Sequence, residues 1–327
     1  MEQPIAGHRR PPRVSVVVLN YNGREYLERC LSSLERQTYQ NREIILADNG
    51  STDGSLEFVR QQFPGVRVIA HGANLGFSRG NNLVIEATDS EYVLTLNSDT
   101  EAEPELLTEL IAAAETAPDV GSCAPKMLLY HPPGVIDSAG IEVDLAGIGW
   151  NCQRGEADTN EHARREVFGP CAGAALYRRA MLEQIGLFDE TYFAFYEDVD
   201  LAWRARLAGW RCLYVPTAVV YHVHSALWQK QPARKVYLLA RNKLLTIAKN
   251  YPWPDLLLWW PLILVYDLLS LGYAILRGQG ISALRGRWDA LTCLGGALRQ
   301  RRVVQALRTR RPSAISMLAR PRVRLGS

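Results

Sequence analysis

Four short, almost wholly apolar runs in the first part of the chain constrain the fold more than any other feature of the sequence. They are VSVVVL (14–19), EIILA (43–47), VRVIA (66–70) and YVLTL (92–96). Between and after them lie amphipathic stretches that favour helices, near residues 24–36, 53–62, 78–88 and 103–116. Strands that are apolar along their whole length belong to parallel sheets covered on both faces. The alternation therefore predicts a doubly wound, mostly parallel α/β sheet.

A polar loop follows each of the four predicted strands. The loops are Asn20–Gly23, Asp48–Asp53, His71–Asn74 and Asn97–Thr100. Ligands of open α/β sheets bind at the carboxyl ends of the strands. We therefore expect the four loops to form a binding site along one edge of the sheet.

Three aspartates in these loops are candidates for ligand binding. Asp48 could accept a hydrogen bond from the imide N–H of a uracil or thymine ring, although NGSTDG is also typical of turns and helix caps. Asp53 is more typical of a helix cap, with a contact to the base or ribose as the alternative. Asp99 directly follows a buried strand, where it could hold Mg²⁺ or Mn²⁺ against a diphosphate, or could simply cap the next helix.

A second group of acids opens a predicted helix at Glu197. Asp200 has Arg204 four residues later, which is the spacing of a structural ion pair. A carboxylate is the usual side chain that takes a proton from a sugar hydroxyl, so Asp198 is our candidate base and Glu197 the alternative. Both acids also stabilise the start of a helix through its dipole, and that structural role stays open.

Two histidines, His222 and His224, lie two residues apart at the end of a predicted strand and therefore share a face. One of them could complete a metal site with a carboxylate, and a buried core histidine is the alternative. The less regular region from about 125 to 170 is predicted to contain short strands and loops, which could wrap an acceptor.

The C-terminal part of the chain differs in composition from the rest. Residues 256–276, LLLWWPLILVYDLLSLGYAIL, are long enough to span a membrane, but Pro261 and Asp267 interrupt the run, so we favour an interfacial or re-entrant helix pair. Residues 277–327 contain twelve arginines and one acid; this segment carries +11, and the preceding residues carry −8 of the net +3. A polybasic segment beside a tryptophan-rich apolar one favours an anionic membrane surface as partner over nucleic acid.

Several function classes lack their motifs here. The sequence has no G-x-x-x-x-G-K-[ST], no G-x-G-x-x-G after the first strand and no G-x-S-x-G, which argues against P-loop phosphoryl transfer, dinucleotide binding and the simplest hydrolases. The six cysteines are far apart without a C-x-x-C pair, so we expect free thiols in a reducing compartment. No apolar signal segment precedes the first strand, and we expect a cytoplasmic catalytic domain.

The motifs together resemble those of the inverting family 2 glycosyltransferases, especially the rhamnosyltransferase-like bacterial branch. The matching segments are VSVVVLNYNG, ILADNGSTDGS, NLGFSRGNN, LTLNSDTE, GLFDETYFAFYEDVDLAWRARLAGW and VVYHVHS. They follow the family order over about two thirds of the chain, from Val14 to about Ser225. The ordered set is far more specific than any one motif.

This resemblance implies a GT-A-type fold and a nucleotide-diphospho-sugar donor that is dTDP- or UDP-linked. By its motifs Asp48 contacts the base, Arg79 lies near the diphosphate, Asp99 is the metal aspartate of a D-x-D element, and Asp198 is the base. His222, with His224 as the alternative, completes the Mg²⁺ or Mn²⁺ site. The residues implied to bind the donor are Asn20, Asn22, Asp48, Asn74, Arg79 and Asn97. Asn97 replaces the first acid of D-x-D, which leaves fewer carboxylates for the metal.

The expected organisation has four parts: a disordered N-terminal segment (1–13), a GT-A glycosyltransferase domain (14–230), a helical, membrane-associating region (231–276) and an arginine-rich tail (277–327). The implied function is transfer of a sugar to a hydroxyl of a glycan or lipid-linked glycan in cell-surface polysaccharide synthesis, and the family wording favours rhamnose from dTDP-rhamnose. We expect the protein in the cytoplasm, peripheral to or anchored in the inner face of the cell membrane. The alternatives are a polyprenyl-phosphate glycosyltransferase, a sugar-nucleotide nucleotidyltransferase and an inactive membrane-docked scaffold.

Overall fold

A mixed sheet of ten strands forms the centre of the computed structural model, which describes residues 10–223 and 231–309. Two further strands, β8 and β9, form a separate pair. In chain order the strands are β1 (Val14–Asn20), β2 (Arg42–Asp48), β3 (Arg67–Ala70), β4 (Tyr92–Asn97), β5 (Thr100–Ala102), β6 (Val120–Leu129), β7 (Ile136–Ser138), β8 (Ile141–Val143), β9 (Gly149–Asn151), β10 (Arg165–Val167), β11 (Ala174–Arg178) and β12 (Arg211–His222).

The described helices confirm the alternation that the sequence predicts. They are α1 (Arg24–Glu35), α2 (Ser55–Gln62), α3 (Gly76–Glu86), α4 (Leu106–Ala114), α5 (Arg179–Ile185), α6 (Glu197–Leu207), α7 (Pro232–Asn250), α8 (Trp253–Leu276) and α9 (Gly280–Ala306). All six cysteines are free, and four of them are buried, as their spacing predicts.

The sheet is parallel in its N-terminal half and mixed beyond it. Its order is β10-β12-β6-β11-β4-β1-β2-β3. Strands β4, β1, β2 and β3 are parallel, whereas β11 lies antiparallel between β4 and β6. Strand β12 is a single strand of 12 residues, and its pairing with β6 has a register shift between Val215 and Val219. The prediction of a mostly parallel, doubly wound sheet is therefore confirmed for the part that the four apolar runs encode.

Both faces of the sheet are covered, as the apolar strands require. Val16 and Val18 of β1 pack with α1, α2 and α4 on one face, and Val17 packs with α3, α5 and α6 on the other. All three valines are fully buried. This two-sided burial explains why the strand is apolar throughout and does not alternate with polar residues.

Three helices at the C-terminal end of the described chain pack onto this domain. Helix α7 is followed directly by Tyr251, whose ring centroid lies 4.8 Å from that of Trp203 on α6. Helix α8 continues through Pro261 and Asp267, the two residues that interrupt its apolar run. The arginine-rich segment begins with α9, which packs on α7 so closely that a Cβ at Gly286 would lie 2.3 Å from the Tyr237 carbonyl oxygen. This part of the segment is therefore a packed helix; residues 1–9 and 310–327 lie outside the described residues.

The start of α3 docks on the loop that precedes α6. The Phe77 N–H donates to the Phe193 carbonyl oxygen at 2.7 Å, and Asn82 bonds both the N–H and the C=O of Phe188. Gly76 allows this approach because it has φ +80°, and a Cβ there would lie 2.4 Å from the Phe193 oxygen. The NLGFSRGNN and GLFDETYFAFYED motifs, far apart in sequence, thus meet in space.

This contact predicts a difference between two glycines with similar backbone conformations. Gly72 has φ +73°, but a Cβ added to it would meet nothing within 4 Å, so Gly72→Ala should lower the free energy of unfolding by about 1–2 kcal/mol from backbone strain alone. Gly76→Ala carries the same strain plus the clash with Phe193, which adds about 1–3 kcal/mol. Urea denaturation of both variants measures the difference, and equal losses would show that the clash does not matter.

Candidate active site

The predicted binding edge is formed by strands that end level with one another. In the parallel ladders Asn20 pairs with Asp48, and Leu19 pairs with Asn97. The ends of β1, β2 and β4 therefore place Asn20, Asp48 and Asn97 side by side. The prediction that the polar loops share one edge is confirmed.

The Asp48 carboxylate is fully buried and organises its own loop. Its Oδ2 accepts the N–H groups of Gly50 and Ser51 at 3.1 and 2.9 Å, and its Oδ1 accepts the Asn20 side-chain amide at 3.2 Å. In this geometry Asp48 stabilises the turn after β2. This is the structural role that the sequence offered as the alternative to nucleobase binding. Its contact with a nucleobase stays a prediction.

Asn22 and Asp53 join the first two loops. The Asn22 N–H donates to Ser51 Oγ at 2.9 Å, while its Oδ1 accepts the Thr52 N–H at 2.8 Å. Asp53 accepts the N–H groups of Arg24 and Ser55, the first residues of α1 and α2. Asp53 therefore takes the helix-start role that the sequence favours.

Asn74 and Arg79 lie at the start of α3. Asn74 Oδ1 accepts the Gly76 N–H at 3.0 Å and so shapes the turn into the helix. Arg79 has its side chain more than half exposed, with Nε 3.9 Å from Glu190 Oε2. Its contact with a diphosphate stays a prediction.

Asp99 and His222 come together, as the resemblance implies. The antiparallel pairing of β5 with β12 places His222 opposite Thr100, so that His222 Nε2 lies 3.3 Å from Asp99 Oδ1. Asp99 Oδ2 is buried without a hydrogen-bond partner. Among the described residues no group of three or more His, Cys, Asp or Glu side chains forms a ready metal site. His224, the alternative ligand, lies outside the described residues.

The structure adds Asp137, which the sequence analysis did not identify. Its Oδ2 lies 2.7 Å from Nδ1 of His222, and both residues are buried. Burial by itself lowers the pKa of His222, but the hydrogen bonds and charges of Asp137 and Asp99 outweigh it and raise that pKa to about 9. A carboxylate on one nitrogen fixes the ring orientation and directs the other nitrogen toward Asp99.

Glu197 and Asp198 are the first two residues of α6. Asp198 Oδ1 accepts the Val199 N–H at 2.8 Å, and its Oδ2 lies 3.4 Å from the Ala172 N–H. Glu197 Oε2 is buried without a hydrogen-bond partner. Burial raises the pKa of both carboxyls, and the charge of Asp198 raises the pKa of Glu197 further.

A short segment that contains Ala172 and Gly173 connects this acid pair with the loop that carries Asp99. Ala172 contacts Asp198, and its neighbour Gly173 accepts the Asn97 N–H at 2.8 Å. A Cβ on Gly173 would lie 3.0 Å from Asn97 Nδ2, so the two residues approach closely. Asn97 in turn accepts the Thr100 hydroxyl with its carbonyl oxygen at 2.7 Å. The candidate base therefore lies near the loop that carries Asp99.

The turn before Asp198 is strained and is held by α7. Phe195 and Tyr196 both have positive φ, +67° and +70°, which is costly for residues with side chains. Asn242 of α7, fully buried, donates to the carbonyl oxygens of Ala194 and Phe195 at 2.9 and 2.8 Å. Helix α7 thus supports the backbone that positions the acid pair.

Buried ion pairs add a second link between α6 and α7. Asp200 pairs with Arg204 at 2.9 Å, as the spacing of four residues predicts. Asp200 also lies 2.7 Å from Lys249, whose Nζ contacts Asp189 at 2.6 Å. The role of Lys249 could not be predicted, because its partners lie far from it in sequence.

Comparison with known proteins identifies the chain. The glycosyl transferase family 2 model matches residues 15–186. An N-acetylglucosaminyl-diphospho-decaprenol L-rhamnosyltransferase from Mycobacterium tuberculosis is 33% identical over 252 residues, which is 70% of this chain and 81% of that protein. The chain belongs to glycosyltransferase family 2. The rhamnosyltransferase-like resemblance of its motifs is thereby confirmed.

Solved structures show the same fold for this glycosyltransferase. The Pyrobaculum calidifontis mannosyltransferase in complex with GDP-Man and Mn²⁺ has a TM-score of 0.56 and 16% identity, and the match covers 91% of this chain and 86% of that one. Residues 1–349 of S. aureus TarS in complex with UDP-GlcNAc have a TM-score of 0.55 and 19% identity, with 90% of each chain covered. The GT-A fold implied by the motifs is confirmed.

Proposed function

We propose that this glycosyltransferase moves a rhamnosyl group from a dTDP-linked donor, with UDP as the alternative nucleotide, to a hydroxyl of a lipid-linked glycan. The M. tuberculosis relative, by its name, acts on N-acetylglucosaminyl-diphospho-decaprenol, and an acceptor of that class is our proposal here. The observation that carries the proposal is the placement of the acid pair beside Ala172, whose neighbour Gly173 bonds Asn97 of the loop that carries Asp99. This contact supports a base and a metal site at the same edge of the sheet.

The residues present fit a divalent cation. Asp99 Oδ2 is buried without a hydrogen-bond partner, and Nε2 of His222, on losing its proton to make way for the cation, would complete an oxygen and nitrogen donor set. Two protein ligands suffice, because Mg²⁺ is usually held by one or two side chains together with substrate phosphates and water. Asp99 and His222 would hold Mg²⁺ or Mn²⁺, which when bound neutralises charge on the departing diphosphate. Arg79 would contribute positive charge at the same group.

Asp198 is the proposed base. It is the less buried member of the acid pair, so an acceptor hydroxyl can reach it more easily than it reaches Glu197. Asp198 would take the hydroxyl proton while the oxygen attacks the anomeric carbon on the face opposite the nucleotide. Such a single displacement inverts the configuration at that carbon. We propose that the reaction takes place at the inner face of the cell membrane, at an anionic surface, because a lipid-linked acceptor lies in a membrane.

The first experiment is thermal stabilisation of the protein by dTDP, UDP and GDP compounds, with Mn²⁺ or Mg²⁺ and again with chelator. A ligand at 100 times its Kd should add about 2.7 kcal/mol to the stability. We expect a metal-dependent shift with dTDP-rhamnose that is lost in Asp99→Ala and retained in the surface variant Asp89→Ala. Asp198→Asn should retain the shift but lose sugar transfer. A folded protein that responds to none of these compounds would contradict the transferase proposal and favour a scaffold.

Asp137 is expected to act on the metal through His222. Asp137→Asn removes the carboxylate that orients the ring, and loss of such a partner weakens metal affinity about 10–100-fold. Titration of Mn²⁺ in the presence of nucleotide measures this affinity, while nucleotide binding in chelator should not change. Asp144→Asn, a buried aspartate whose side chain accepts N–H groups of its own turn, is the matched control. Equal Mn²⁺ affinity in the Asp137 and Asp144 variants would assign Asp137 a purely structural role.

The pH dependence of turnover distinguishes Asp198 from Glu197 as the base. Because burial raises the pKa of Asp198, its deprotonated form is populated only above the usual carboxyl range near pH 4, and kcat should rise with pH there. Burial, together with the charge of Asp198, raises the pKa of Glu197 well above its usual range and keeps it protonated to still higher pH. Glu197→Gln should therefore retain turnover and the same acidic limb, whereas Asp198→Asn should lose both. The opposite result would identify Glu197 as the base.

A further inference from the structure

Helices α8 and α9 carry an apolar surface that the rest of the fold leaves uncovered. Within the described residues, every strongly exposed large hydrophobic side chain lies on one of these two helices. Examples are Trp260, Leu264 and Leu268 on α8 and Leu284, Trp288 and Leu291 on α9. Soluble monomers rarely expose a contiguous apolar patch of this kind unless it contacts a partner or a membrane.

The opposite side of each helix packs against the rest of the domain. Ile263 of α8 and Val304 of α9 are buried in the cluster that contains Trp203 of α6. On α9 the exposed apolar residues Ile281, Leu284, Trp288 and Leu291 recur every three or four positions, so they lie along one stripe. Both helices are therefore two-sided, with one apolar side packed and the other exposed.

Exposed arginines lie next to the apolar stripe of α9. Arg285 follows Leu284, and Arg299 follows Leu298. Arg277, directly after α8, and Arg302 are also exposed. Arginines beside exposed tryptophan and leucine match an anionic lipid surface, with its negative headgroups above an apolar layer.

A largely buried charge cluster near the middle of α8 determines whether this helix can cross a membrane or can only lie on it. Asp267 Oδ1 lies 2.6 Å from Lys243 Nζ on α7, and Asp267 Oδ2 lies 2.7 Å from Arg287 Nε on α9. With 24 residues α8 is long and apolar enough to cross a bilayer. A crossing helix would carry Asp267 into the hydrocarbon, where it would either lose both cationic partners or pull them in with it.

We infer that α8 and α9 form a docking surface for one leaflet of an anionic membrane, with α8 lying in the plane of the membrane. The inference deepens the membrane association proposed above by naming the surface, the lipid charge and the mode of binding. The Asp267 cluster ties α8 to α7 and α9 and holds it on the domain. Helix α7 also holds the turn before Asp198 through Asn242, so the docking surface and the acid pair belong to one packed unit.

The test is cosedimentation of the full chain with vesicles of phosphatidylcholine alone or with about 30 mol% phosphatidylglycerol. We expect binding to the anionic vesicles that weakens with added salt. Leu264→Glu with Leu268→Glu should abolish it, whereas the same charge change on α2, Gln61→Glu with Gln62→Glu, should not. Arg299→Gln should weaken binding about fivefold, and the matched surface variant Arg60→Gln should have no effect.

A second measurement distinguishes lying on the membrane from spanning it. Alkaline carbonate should release the wild-type protein from the vesicles, since α8 lies on the bilayer and does not cross it. Resistance to carbonate would overturn the inference in favour of a span. Failure of the wild type to bind vesicles, or its dimerisation in solution through the same leucines, would also overturn it. Nucleotide-dependent stabilisation of the α8 variants reports on folding and the donor site, so failure of docking and failure of the proposed transferase function remain distinct.

Discussion

The level register of three parallel strands is the constraint on which the site depends. Hydrogen bonds between β1, β2 and β4 place Asn20 beside Asp48 and Leu19 beside Asn97. A shift by one residue would turn every side chain of a strand to the other face, where it would no longer fit the helices packed there. Burial of both faces therefore fixes the register, and the register in turn fixes where the polar loops stand. The energy that stabilises the sheet is also what assembles the site.

The C-terminal helices are packed into the domain that carries the candidate site. Helix α7 supports the strained turn before the acid pair through Asn242, and Lys249 pairs with Asp200 inside α6. Two consecutive residues in the left-handed region persist only where their surroundings hold them. The same helix packs against α9 and joins the Asp267 cluster. The exposed apolar helices are therefore linked to the acid pair through contacts of α7.

The sequence pattern correctly predicted those features that depend on residues close together in the chain. The apolar runs identified β1 to β4, the polar loops identified their common edge, and the spacing of Asp200 and Arg204 identified their ion pair. Asp137 and Asn242 escaped prediction because each acts on a residue at least 47 positions away. Asp137 also lies in an irregular segment without a periodic pattern. The treatment of 277–327 as a tail missed α9, because its arginines were all assigned to an anionic surface. Arg287 instead pairs with Asp267 within the fold and is largely buried.

The sequence by itself determined the fold class, the family and the set of polar residues at the strand ends, because these follow from burial patterns and ordered motifs along the chain. The family resemblance already paired Asp99 with His222, but only the tertiary structure decided the contacts around them. It put Asp137 behind His222 and set Asp198 beside the segment that bonds Asn97. Such contacts depend on strand order and on crossovers between distant segments, and a linear pattern carries no record of them.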